Sequence, residues 1–356
     1  MTFERPNIAR MQGYKPGEQL DGGNIIKLNT NENPYPPAPA VTAALQGIDT
    51  AALRRYPPPT AATFRQAAAD LHGIETDNIV ATNGGDELLR LALTTFVNPG
   101  AAIVTTQPSY SLYPVLADIQ GCEYKEIPLN DDWSMPEDFL AQLEQANASM
   151  CLLVNPHAPT GQLLSADYLK HISEGFSGVL LVDEAYVDFV DEQQRYSAIE
   201  LATTSDNILL LRTLSKGYSL AGLRFGYGIG SRSLIEPMQF KTRDSYNTDL
   251  IAQALATAAI QSQDYARDTW SKVRCERARL HTELEAMGFL VNPSQTNFLL
   301  ARVPDGSNAE SLYLALKQKQ ILVRHFQQPR LDDKLRISIG TEAENNQLLA
   351  ALAELL

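Results

Sequence analysis

Between residues 79 and 229 short β-branched, apolar runs alternate with amphipathic stretches, and this rhythm constrains the fold more than any other feature. The apolar runs fall at 79–82, 102–106, 124–128, 150–154, 179–182, 208–211 and 224–229. Helical patterns at 86–97, 112–119, 136–145 and 166–174 lie between them. Strands that are apolar on successive positions need cover on both faces, and helices between them supply it. The pattern predicts an α/β unit with a mostly parallel central sheet between two helical layers. After 230 the rhythm changes to helices at 249–261 and 265–287, then short strands at 289–291, 297–302, 321–324 and 335–339, with helices at 309–319 and 343–356. That reads as a smaller α+β unit. Residues 24–60 read as loop, because Asn33-Pro34-Tyr35-Pro36-Pro37 and Tyr56-Pro57-Pro58-Pro59 exclude helix interior and central strand.

A chain of 356 residues is long enough for a large core and more than one domain. Its net charge of −13 disfavours a nucleic-acid or anionic-membrane partner. The three cysteines, Cys122, Cys151 and Cys275, are far apart and read as reduced thiols of a cytoplasmic protein. The histidines show no zinc spacing, so no metal is expected. The start lacks the apolar core of a signal peptide, and no run of about 18 apolar residues exists.

Lys216 follows the 208–211 run in Thr213-Leu214-Ser215-Lys216-Gly217-Tyr218-Ser219-Leu220-Ala221-Gly222-Leu223-Arg224. A lysine at the end of a buried strand is costly unless its amine is used. Desolvation lowers an ammonium pKa, and the neutral amine forms a Schiff base. Thr213, Ser215 and Arg224 suit a phosphate dianion. An aldehyde that carries a phosphate is pyridoxal 5′-phosphate. Val182-Asp183-Glu184-Ala185-Tyr186 ends another run, where an aspartate can pair with a pyridine nitrogen and Tyr186 can donate to a phenolic oxygen. Asn83-Gly84-Gly85-Asp86-Glu87 opens a helix with bare N–H groups that favour an anion, although Asp86 alone reads better as a cap. Tyr110 is equally suited to stacking on a ring and to a turn. Asn155-Pro156-His157-Ala158-Pro159-Thr160-Gly161 is a rigid turn. Arg324 and Arg336 lie in strand patterns, where exposure is the default and anion binding the alternative. Gly226-Tyr227-Gly228-Ile229-Gly230 reads as plain strand, so a dinucleotide fold is disfavoured.

Taken together, these segments resemble the histidinol-phosphate aminotransferase family, of fold type I among the pyridoxal-phosphate-dependent transferases. The resemblance covers nearly the whole chain and extends to Gly13-Tyr14-Lys15-Pro16-Gly17, Leu28-Asn29-Thr30-Asn31-Glu32-Asn33-Pro34, Arg55-Tyr56-Pro57 and Leu335-Arg336-Ile337-Ser338-Ile339-Gly340-Thr341. It implies a three-layer large domain over 41–245, a small domain over 246–356, and a segment 1–40 that joins the small domain. It also implies that Lys216 carries the cofactor and shuttles the proton, that Asp183 pairs with the pyridinium, and that Tyr186 bonds the phenolic oxygen. Tyr110 would stack on the ring. The amides of Gly85 and Asp86, with Thr213, Ser215 and Arg224, would hold the phosphate. Tyr56 would reach the partner's site in a homodimer, and Tyr14, Asn33, Arg324 and Arg336 would meet the substrate.

The implied reaction interconverts histidinol phosphate and 2-oxoglutarate with imidazole-acetol phosphate and glutamate, in histidine biosynthesis. The alternatives on the same fold are an aromatic or other amino-acid aminotransferase and a threonine-phosphate decarboxylase. A cofactor-binding module without turnover is disfavoured by the acidic charge. The chain departs from the family's usual N-P-N-N-P-T-G, placing His157 and Ala158 at the central positions, and from its R-x-P-Y-N, which reads Arg243-Asp244-Ser245-Tyr246-Asn247. The second asparagine usually bonds the phenolic oxygen. With Ala158 that oxygen either has one donor fewer or draws a replacement from His157.

Overall fold

The computed structural model describes residues 3–14, 17–18, 25–194 and 196–356, so Lys15 and Pro16 of the Gly13–Gly17 motif lie outside the described residues. Seven strands form one sheet in the order Ile79–Thr82, Gly226–Gly230, Ile208–Thr213, Val179–Asp183, Ala148–Val154, Ala102–Gln107 and Glu123–Pro128. Gly226–Gly230 runs antiparallel to both neighbours, and the remaining pairings are parallel. The apolar runs lack polar alternation because both faces are covered. Ile208 and Leu210 pack into one core, while Leu209 and Leu211 pack into another on the opposite face. Burying each such leucine contributes roughly 1.5–3 kcal/mol, which makes this strand a stiff platform for the segment that follows.

The four expected helices appear as Gly84–Phe96, Tyr113–Gln120, Phe139–Gln145 and Ala166–Gly175. Two further helices, Pro39–Gln46 and Ala62–His72, precede them. The first falls inside the stretch that reads as loop. Its proline sits at the first helical position, where a missing N–H costs nothing. The strand expected at 224–229 starts later, at Gly226. Arg224 itself adopts a left-handed conformation, φ 57°, after the short turn Ala221–Leu223.

The smaller unit contains an antiparallel sheet ordered Arg324–His325, Lys334–Ser338, Phe298–Arg302 and Leu290–Val291. Ile26–Lys27 pairs in parallel with Ile321–Leu322, which stitches the N-terminal segment to this unit. Ile26 and Leu28 share its core with Leu299, Leu335 and Leu348. One helix beyond residue 246 packs on the large sheet. Leu250–Gln261 buries Ala252, Leu255 and Ala256 in a core of the large sheet, because these residues face Pro39–Gln46 and Ala62–His72. Among the described residues no helix is long and apolar enough to cross a membrane.

Candidate active site

The carboxyl ends of the parallel strands open onto a cavity of about 290 Å³, closed on its far side by the small unit. This is where an open α/β sheet gathers its ligands, since the loops leaving successive strands diverge there. Lys216, Asp183, Tyr186, Tyr110, Thr213 and Ser215 all line it. So do Gly85, Asp86, Arg224, Tyr14, Arg324 and Arg336.

One end of the cavity is an anion cradle. Thr82 ends its strand and the helix Gly84–Phe96 begins at once, so the free N–H groups of its first turn point outward. Gly84 has φ +77°, and a Cβ there would lie 2.8 Å from Arg224 Nη2. A Cβ on Gly226 would lie 2.9 Å from the Gly84 carbonyl carbon and the Gly85 nitrogen, so the strand and the helix start meet backbone to backbone. Thr213 Oγ1 and Ser215 Oγ are 2.9 Å apart, and Arg224 Nη1 reaches Ser215 Oγ at 3.5 Å. Asp86 makes no cap bond. Its carboxylate instead accepts from Arg224 Nη2 at 3.3 Å and from Tyr110 Oη at 3.4 Å. Two hydroxyls, a guanidinium and a helix start suit a phosphate.

The middle of the cavity suits an aromatic cation. Asp183 is only 6% exposed at the end of Val179–Asp183. Its Oδ1 accepts from the Ala185 N–H at 3.1 Å and its Oδ2 from Tyr113 Oη at 3.2 Å. Burial pushes its carboxyl up to about 7, so a cation beside it would recover the cost of ionisation. Lys216 Nζ donates to the Thr30 carbonyl at 2.8 Å. Burial first, then the Arg336 charge, pushes its ammonium down to about 8, against the pull of Glu32. Tyr186 stands edge-on to Phe298, and its hydroxyl accepts from Asn31 Nδ2 at 3.1 Å. Tyr110 is edge-on to both Tyr14 and Tyr113, which leaves a ring face for the cavity. The cradle, the buried carboxylate and the low-pKa amine together fit a phosphate-bearing pyridine aldehyde. No cluster of three or more His, Cys, Asp or Glu side chains among the described residues is arranged to hold a metal.

The small unit supplies the third part. Arg324 and Arg336 are direct register partners on adjacent strands, and like charges placed so repel. Both lie over the Phe326 ring, with guanidinium carbons 5.3 Å and 5.4 Å from its centroid. Arg336 also lies over Phe298 and donates from Nη2 to the Asn29 carbonyl at 3.0 Å, while its buried Nε has no partner. Neither arginine has an acidic partner among the described residues. A bound anion would relieve both the repulsion and the orphan donor.

Three candidates lie off the cavity. Tyr56 is 80% exposed and stacks on Tyr246 at 4.4 Å. Asn33 spends its amide on backbone, donating to the Gly217 carbonyl at 3.1 Å and accepting from the Tyr35 N–H. His157 is buried and points away from the cavity. Its Nδ1 meets Thr160 Oγ1 at 2.8 Å, and its Nε2 meets the Pro108 carbonyl at 3.1 Å and Thr106 Oγ1 at 3.2 Å. With both ring nitrogens engaged it has no donor to spare, so the geometry favours the alternative in which the phenolic oxygen has one donor fewer. Ala158 does line the cavity. Sequence reasoning missed Tyr113 and Asn31 as site residues. No spacing rule marked the first, since Tyr110 precedes the helix Tyr113–Gln120 and only the turn between them brings the two rings together.

A family model described as aminotransferase class I and II matches residues 23–352. The chain is 44% identical to histidinol-phosphate aminotransferase 1 of Trichormus variabilis over 356 residues, which is 100% of this chain and 99% of that protein. It is 42% identical to histidinol-phosphate aminotransferase of Rhodopirellula baltica over 339 residues, 95% of this chain and 91% of the other. The solved structure of histidinol-phosphate aminotransferase from Sinorhizobium meliloti in complex with pyridoxal-5′-phosphate superposes with a TM-score of 0.88 at 26% identity, covering 100% of this chain and 99% of that one. The chain therefore belongs to the aminotransferase class I and II family.

Proposed function

We propose that this protein is a pyridoxal-phosphate-dependent aminotransferase that moves the amino group between histidinol phosphate and 2-oxoglutarate, working as a cytoplasmic homodimer. The observation that carries this reading is a single cavity holding Lys216, Asp183 and the facing Arg324 and Arg336. Relatives named for this reaction, similar over 95% or more of the chain, support the choice of substrate.

When bound, the cofactor supplies an aldehyde that accepts the amino group and a ring that takes up the electrons left when the α-proton departs. The chain supplies the rest. Arg224, Ser215, Thr213 and the start of Gly84–Phe96 hold the phosphate and so fix the ring's position. Asp183 keeps a proton on the ring nitrogen by offering the charge that burial makes costly. Tyr110 presses on the ring face, and Tyr186 donates to its phenolic oxygen. Lys216 Nζ holds and returns the proton of the substrate's α-carbon, because a buried amine with a pKa of about 8 is partly neutral near physiological pH. Arg324 and Arg336 bind the anionic ends of the substrates. A phosphate and a carboxylate both present two oxygens to a guanidinium fork, so one pair of arginines serves two unlike substrates in turn. Tyr56, exposed on each protomer, completes the partner's site.

The test is a panel of single half-reactions with histidinol phosphate, glutamate, phenylalanine and threonine phosphate, followed by absorbance and product analysis. Transfer from histidinol phosphate and glutamate alone is expected. Transfer from phenylalanine but not histidinol phosphate would overturn the substrate, and no transfer from any donor would overturn the activity.

A further inference from the structure

Asn31 occupies an unusual place for a residue outside the strand ends. It has φ 56°, a left-handed conformation, and it is 1% exposed. Its main-chain carbonyl accepts from Asn297 Nδ2 at 2.9 Å. Its N–H donates to Ser338 Oγ at 2.9 Å, and Ser338 Oγ lies 2.9 Å from Asn31 Oδ1. Its Nδ2 lies 3.1 Å from Tyr186 Oη.

These contacts assign every proton in the chain of hydrogen bonds. Ser338 Oγ already accepts from a backbone N–H, so its own hydrogen is free for Asn31 Oδ1. That fixes which end of the amide is oxygen. The opposite flip would set two donors on Ser338 Oγ and take from the serine hydrogen the acceptor it has here, in a site where Ser338 is 2% exposed. The amide nitrogen therefore faces Tyr186 and can only donate. The tyrosine oxygen accepts, and its single hydrogen must point elsewhere, towards the cavity.

We infer that Asn31 and Ser338 form a one-way relay that turns the Tyr186 hydroxyl into an obligate donor to the phenolic oxygen of the bound cofactor. Asn31 is a positioning residue, since it acts only through Tyr186. The inference rests on the proposed cofactor reading and deepens it. It carries particular weight in this chain, because Ala158 offers no donor and both His157 nitrogens are engaged. Of the three side chains Tyr186, His157 and Ala158, only Tyr186 then has a hydrogen to give that oxygen. A hydrogen bond accepted by a hydroxyl polarises its own O–H and strengthens the bond it donates. A stronger donor spreads the phenolate charge and weakens its hold on the proton of the nitrogen that joins Lys216 to the cofactor. That nitrogen should lose its proton at lower pH with the relay than without it.

The holoenzyme shows this as a spectroscopic titration of the bound cofactor. Asn31→Gly removes the amide without backbone strain, because glycine accepts the left-handed conformation. Ser338→Ala leaves the amide in place but frees it to flip. Both should raise the midpoint, Asn31→Gly by roughly half a unit to one unit, the size of one hydrogen bond lost a step away from the titrating group. In a Tyr186→Phe background Asn31→Gly should add no shift. The groups that face Tyr186 and Lys216 (Asp183, Tyr14, Arg336, Arg224, Lys27 and Glu32) are the same in all variants. An unchanged midpoint in both single variants, or an equal shift in the Tyr186→Phe background, would overturn the relay. A wild-type protein with no visible cofactor band after reconstitution would instead overturn the function reading beneath it.

Discussion

At the residue scale, two buried ionisable groups set the pH behaviour. The Lys216 ammonium is held at about 8 by burial and the Arg336 charge, so the neutral amine grows in as pH rises through that value. Borohydride trapping of pyridoxal phosphate by the apoprotein should follow a midpoint near 8 rather than near the usual lysine value, and Lys216→Ala should trap nothing. A midpoint at about 10, or a trapped adduct at another lysine, would contradict the assignment. Asp183 behaves oppositely. Its folded pKa of about 7 lies above the usual 3.8, so its ionised form is the disfavoured one. The apoprotein therefore loses stability from this group as pH rises from about 4 through about 7. Asp183→Asn removes a buried charge and should stabilise the apoprotein at pH ~8 by on the order of 3 kcal/mol, with little effect at pH ~4. The same change should weaken cofactor binding, because the charge that would have met the cation is lost. Thermal unfolding at both pH values, with and without pyridoxal phosphate, checks both halves. A destabilised apoprotein at the higher pH would contradict them.

At the scale of elements, the anion cradle depends on how closely one helix start meets one strand. Gly84 has φ +77° and no room for a Cβ beside Arg224 Nη2. Gly84→Ala should cost about 1–2 kcal/mol of stability from the left-handed conformation alone. It should also displace the Arg224 guanidinium, a flexible end that can move, and so lower the affinity for pyridoxal phosphate on the order of tenfold. Gly226→Ala meets backbone atoms instead, which cannot move, and should damage folding more than Gly84→Ala does. Unfolding midpoints and cofactor titrations separate the two effects, and an unchanged affinity in Gly84→Ala would remove Arg224 from the cradle. Most strands are legible in the sequence, because runs such as 208–211 are apolar at every position and periodicity reads them directly. The helix Pro39–Gln46 is not, because the prolines around it outweigh its own starting proline.

At the scale of the whole molecule, Tyr56 and Tyr246 stack together on the surface with 80% and 46% exposure, outside the cavity of their own chain. Exposed paired aromatics suit an interface, and a two-fold dimer would carry each Tyr56 towards the other protomer's site. Mixing refolded Lys216→Ala and Tyr56→Ala proteins tests this. Each homodimer should be crippled, while a heterodimer keeps one site with both residues intact, so equal mixing should restore about a quarter of the wild-type sites. Mixtures no more active than the separate proteins, or a fully active monomer in sedimentation, would count against the shared site.

The sequence by itself determined the layered α/β architecture, the lysine segment and the carboxylate at the neighbouring strand end. Those features follow from local apolar periodicity and from residues that are costly to bury without a use. Only the tertiary structure decided the rest. Whether Arg336 is exposed or faces the cavity depends on which side of Lys334–Ser338 meets the large unit, and alternation alone leaves that choice open. Which way His157 points depends on hydrogen-bonding partners in Thr160, Pro108 and Thr106, brought together by folding. Asn31 and Ser338 meet across 307 positions of sequence, and no spacing rule operates over that distance. Their contact exists because the N-terminal segment pairs with the small unit, and it is that packing which points the Tyr186 hydroxyl into the site.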